Sequence, residues 1–128
     1  MRHWEELDRR QVDGFEVIIE KTWEDMHPSE CFDNSIDPAT GQPYWDTDDM
    51  CAKIDRGDLD WFVARARVMV DGLELADACI GGLLYEDAKD FLTDGMGEDL
   101  IYEAVTEAQG RVQHLAQKFT LLAIKHSG

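Results

Sequence analysis

Between residues 61 and 84 apolar and polar positions alternate with a period of two, the pattern of strands with one buried face. Phe62, Ala64, Ala66, Val68 and Val70 interleave with Trp61, Val63, Arg65, Arg67 and Met69. Asp71-Gly72 follows, the dipeptide preferred in two-residue type I′ turns, and Leu73, Leu75 and the run to Leu84 return as a second strand. This predicts a central β-hairpin over 61–84, with Gly81-Gly82 marking a bulge or a close backbone approach. Phe15, Val17 and Ile19, flanked by Glu16 and Glu20, predict a further strand bounded by Asp13-Gly14.

The period changes to 3.6 further on. Ile101, Ala104/Val105, Ala108, Val112, Leu115, Phe119 and Leu122 trace one stripe and predict a long helix over 97–125. Glu98, Asp99 and Glu103 near its start and Lys118, Lys125 and His126 near its end suit the helix dipole, and Gly110 is its one weak position. Shorter helices are expected over 1–11 (Trp4 and Leu7 spaced i, i+3), over 45–57 behind an Asp46 or Thr47 cap, and over 85–95. Residues 24–44 carry Pro28, Pro38, Gly41 and Pro43 and predict a long loop. The expected fold is α+β: a single domain over 1–128, with an antiparallel sheet of about three strands packed against the long C-terminal helix.

Charge changes the picture from fold to partners. Lys and Arg total 12 against 28 Asp and Glu, a net −16. The excess falls in two blocks: 23–60 holds eleven acids and two basic residues, and 71–107 holds eleven and one. Residues 61–70 carry only Arg65 and Arg67, and 108–128 carry three basic residues and no acid. Such a field repels nucleic acid and anionic lipid, so direct binding to either is not expected. The aromatic and β-branched content argues for a folded chain. Without a signal-peptide pattern or a membrane-length apolar run, and with three cysteines (Cys31, Cys51, Cys79) lacking CxxC spacing, a cytoplasmic protein is expected.

Candidate chemistry is sparse. Asp33, Asn34, Asp37, Asp46, Asp48 and Asp49 supply oxygen ligands of the type hard cations take, but the spacing departs from an EF-hand. A solvated loop of turn-forming residues is the preferred reading. His27 and Cys31, with Cys51 and Asp33 in the neighbourhood, hold zinc-ligand types without a second short pair. His3, His27, His114 and His126 are potential bases, yet no spacing aims one at Cys31, Ser29 or Ser35, and GxSxG, GxxxxGK[ST] and GxGxxG are absent. The chain is therefore expected to be neither enzyme nor cofactor protein. Cys79 is expected in the core. Arg65 and Arg67 share one strand face; pairing with Glu16, Glu20, Glu74 or Asp77 is preferred over a role as partner anchors.

A competitor for a nucleic-acid channel needs many carboxylates on one face and a few apolar anchors. The candidate partner-binding set is Asp46, Asp48, Asp49 and Asp58 from the first block, Asp87, Asp90, Asp94, Glu98, Asp99 and Glu103 from the second, and Trp45 as an aromatic anchor. Glu98, Glu103 and Glu107, with Asp87, Asp90 and Asp94 before them, are expected to form an acidic ridge, and charge reversal at Asp87, Asp90 and Asp94 together is expected to weaken target binding while sparing the fold. The stretch DWFVARARVMVDGLELADACIGGLLYEDAKDFL, leading into the last helix, resembles small prophage proteins over about half the chain. As a small acidic α+β protein without an enzyme motif, the chain resembles phage- and prophage-encoded defence inhibitors of the anti-CRISPR and DNA-mimic anti-restriction type. That resemblance implies an inhibitor blocking a basic nucleic-acid-binding surface of a CRISPR effector complex or restriction enzyme, and assigns no residue roles. The alternatives are an acidic cytosolic adaptor binding through an apolar or aromatic patch, and a metal-binding or catalytic protein using loop 33–49.

Overall fold

A computed structural model describes residues 3–127. Four strands, β1 (Glu5–Val12), β2 (Phe15–Trp23), β3 (Asp60–Val70) and β4 (Leu73–Tyr85), form an antiparallel meander in the order β1-β2-β3-β4. Helix α1 (Thr47–Asp55) lies between β2 and β3, and helix α2 (Met96–Lys125) follows β4. The α+β class, the central hairpin and the long C-terminal helix agree with expectation; the strand count is four rather than about three.

The extra strand is β1, in the segment expected to be helical. Residues 1–2 of that expectation lie outside the described residues. EELDRRQV has only Leu7 and Val12 to bury, and charge on both faces is how an edge strand avoids pairing with a stranger. Its partner is specified by the turn. Asp13 and Gly14 have φ of 51° and 85°, matching Asp71 and Gly72 at 49° and 80°. Both dipeptides therefore turn hairpins with positive φ at both central positions.

Register places Phe62, Ala64, Ala66 and Val68 on one sheet face with Val17 and Ile19, and α2 covers that face. Leu100, Ile101, Ala104, Val105 and Ala108 are its buried residues there. The small alanines of β3 and β4 allow the helix to sit close, and Phe62 meets Phe91 edge to face at 6.1 Å. Each large side chain buried in this layer contributes about 1.5–3 kcal/mol. The segment expected as a short helix over 85–95 is a 3₁₀ turn at Ala88–Leu92. Gly97 lets it pack, since a Cβ there would lie 2.7 Å from the Phe91 carbonyl oxygen.

The opposite face centres on Glu20, 7% exposed between two arginines. Arg65 donates to its Oε1 at 3.1 Å and Arg67 at 2.6 Å, and Arg67 also approaches Glu74 at 3.8 Å. Trp4 stacks on the Arg65 guanidinium at 3.8 Å. The two arginines are thus paired within the sheet. At the other end of this face the loop folds over Trp61: its indole donates to the Met26 carbonyl at 2.7 Å, and Phe32 bridges Trp61 and Trp45. The Gly81-Gly82 bulge admits this loop, with the Gly82 N–H donating to Glu24 Oε2 at 2.9 Å. Cys79 is exposed, a correction to its expected core position, because it pairs with Arg65 on the sheet face away from α2 while its neighbour Ala78 takes the buried face.

Candidate functional site

The structure places five of the ten candidate acids in three surface hollows with no lining residue in common. Trp45, Asp46 and Asp48 line a small hollow beside Ile36 and Pro43. Asp99 and Glu103 border a second beside Cys79 and Ile80 at the β4 edge. The third brings the two acidic blocks together. The segment after α1 meets the segment after β4 across a groove of about 500 Å³, lined by Trp23, Leu59, Asp60, Trp61, Glu86 and Asp87 among others.

Many candidate acids also perform structural work. Asp46 caps α1 by accepting from the Asp49 N–H at 3.0 Å. Asp87 caps the 3₁₀ turn through the Lys89 N–H at 2.9 Å. Asp94 accepts from the Met96 N–H at 3.0 Å and from the Tyr85 hydroxyl. Asp49 pairs with Lys53 at 3.0 Å, Asp58 with Arg56 at 3.1 Å and Glu98 with Arg10 at 2.7 Å. Asp48, Asp90, Asp99 and Glu103 make no side-chain ion pair among the described residues. The expected ridge of Asp87, Asp90 and Asp94 is therefore not a fold-neutral target, because two of its three members hold the turn into α2 (β-turn and helix-start donors would lose their acceptors).

The groove adds Trp23, Asp60 and Glu86, which the sequence did not single out. Trp23 is 50% exposed where β2, still in register with Phe62 of β3, runs past the end of β1. A large exposed aromatic bordered by carboxylates is suited to a cationic side chain, through the ring face and through charge-assisted hydrogen bonds. Lys21 holds Asp60 from the sheet side, leaving Glu86 and Asp87 as the rim's uncompensated charge. The only available sequence signal was that Trp23 ends the strand on the face that begins with Phe15, Val17 and Ile19.

The residues weighed for metal and nucleophile chemistry are used locally. Asp33 accepts from the Ser35 N–H and hydroxyl, which lowers its pKa, and Asp37 accepts from the Ala39 N–H. These are Asx turns. Among the described residues no three His, Cys, Asp or Glu side chains are grouped to hold a metal ion. His27 Nε2 lies 3.4 Å from Cys51 Sγ, while Nδ1 accepts from the Ser29 N–H at 3.1 Å. A backbone N–H is always a donor, so the neutral ring carries its proton on Nε2. It then presents a proton rather than a lone pair to the sulfur, the reverse of what a general base requires. Among the described residues no helix is long and apolar enough to cross a membrane.

Comparison of the chain with protein-family models, with curated proteins and with solved structures returns no match.

Proposed function

We propose that this chain is a non-enzymatic acidic binding protein that docks in the bacterial cytoplasm on a basic nucleic-acid-binding surface of another protein. Its mode is that of anti-CRISPR and DNA-mimic anti-restriction inhibitors. The observation that carries this reading is the groove in which Trp23, Glu86 and Asp87 converge from two acidic blocks. An arginine or lysine of a DNA channel fits it: the indole takes the cation's face and the carboxylates take its hydrogen bonds. The chain's −16 supplies the long-range attraction that brings such a surface in quickly.

The test is displacement of labelled duplex DNA from purified CRISPR effector complexes and restriction enzymes. Displacement is expected with at least one of them, weakening as salt rises from about 50 to about 200 mM. Trp23→Ala with Glu86→Lys, both at exposed positions, is expected to weaken it about 30-fold or more, the scale of an interface anchor. No displacement from any of them, or displacement indifferent to that double variant, would sink the proposal.

A further inference from the structure

Helix α2 outruns the body it packs on. Its buried residues end at Ala108, and over 109–125 only Leu115 is partly buried. Past Leu115, which still packs against the core, residues 116–125 run about 15 Å beyond the end of the sheet that carries both Asp-Gly turns. The apolar stripe does not end where the body does. Ile101, Val105, Ala108, Val112, Leu115, Phe119 and Leu122 follow in alternating steps of four and three residues, the spacing of a coiled-coil seam. The first three are spent on the sheet. Phe119 is 62% exposed and Leu122 46%, a seam without a partner inside the molecule.

We infer that a second copy of this chain covers the arm, the two arms packing antiparallel so that each tip lands at the root of the other. Charge selects the partner. The chain carries −16 and the arm +3, from Arg111, Lys118 and Lys125, so residues 1–107 carry −19. The basic arm complements a body as acidic as its own. Charge also selects the direction. A parallel pair sets two −19 bodies side by side, within a Debye length of each other, whereas an antiparallel pair holds them at opposite ends of the seam. Asp13, which lies 3.5 Å from Gln109, then faces the partner's Lys125 together with Glu107. The basic flanks of the two arms oppose each other at mid-seam, an exposed like-charge cost far smaller than that of two adjoining bodies.

Shape agrees. The tip is apolar beyond the seam, with Leu121 68% and Ile124 67% exposed. At the arm's root, Val70 and Leu73 pair on the helix-bearing face of the sheet and are themselves 37% and 61% exposed. Tip and root are thus unpartnered apolar surfaces about one arm's length apart, which is what an antiparallel pair joins twice. Two such arms bury on the order of 1,000 Å² in total, about the lower limit for specific association.

Sedimentation of the full chain from about 10 to about 200 µM in low salt tests this, because self-association shows as a concentration-dependent mass. A dimer is expected at the upper end. Phe119→Ser with Leu122→Ser is expected to leave a monomer with unchanged circular dichroism. Leu73→Asp, and separately Lys125→Glu, are each expected to raise the dimer dissociation constant about tenfold or more, which a parallel seam would not show. A wild-type monomer throughout overturns the inference, as does a dimer that survives the seam variant. A dimer sensitive to the seam but indifferent to Leu73 and to Lys125 overturns the antiparallel arrangement. Sedimentation involves no nucleic-acid-binding target, so its outcome is independent of the displacement test.

Discussion

Removing the Glu20 side chain isolates what holds the outer sheet face. In Glu20→Ala, Arg65 and Arg67 lose their shared acceptor, and two like charges remain side by side on β3. Truncating one partner of a fully buried ion pair costs about 3–5 kcal/mol. Glu20 is nearly that buried, at 10% side-chain exposure, but the arginines are 22% and 27% exposed and regain part of their hydration. The expected loss is therefore about 2–3 kcal/mol, which at this chain length corresponds to a melting temperature lowered by roughly 8–12 °C. Glu20→Gln keeps the shape and one acceptor oxygen and is expected to lose about half as much. Urea unfolding followed by tryptophan fluorescence reads both. A Glu20→Ala loss below about 0.5 kcal/mol would refute the reasoning, placing the triad among surface ion pairs that contribute little.

Two further outcomes follow from local geometry. Burial and the Asp94 carboxylate push the Tyr85 pKa up to about 12. The unfolded chain therefore releases this proton first, and the stability tied to neutral Tyr85, whole below about pH 10, drains between about pH 10 and 12. Urea midpoints at about pH 9 and 11 are expected to fall less in Tyr85→Phe than in the wild type; equal falls would contradict the assignment. Gly97→Ala sets its Cβ against the Phe91 carbonyl, a backbone atom without a rotamer to swing away. A loss of about 1–3 kcal/mol is expected by thermal melting, and an unchanged or raised melting temperature would show that the turn yields freely.

Where a segment's own atoms decide its conformation, the sequence was legible. Asp71-Gly72 specifies its hairpin, Asp46 caps α1, Gly81-Gly82 marks a bulge, and the 3.6-residue stripe specifies a long helix. The same chemistry stood at Asp13-Gly14 as a mere boundary, because EELDRRQV has almost no apolar alternation to betray a strand. An edge strand held by one neighbour's ladder and by charge pairs carries little periodic signal. The 3₁₀ turn at Ala88–Leu92 was likewise hidden, since a few residues cannot distinguish 3.0 from 3.6 per turn.

By itself the sequence determined the α+β class, the acidic excess and its division into two blocks. These are sums over residues, or patterns repeated along one element. Only the tertiary structure decided what each charge is for: Glu20 buried between two arginines, Asp87 and Asp94 spent on a turn, Glu86 exposed in the groove beside Trp23. It alone revealed that α2's uniform stripe divides into a half buried on the sheet as far as Ala108 and a half that, beyond the partly buried Leu115, stands exposed. Periodicity reports which side of a helix is apolar. Whether anything lies against that side depends on how far the sheet reaches, and strand pairings between residues distant in sequence set that reach.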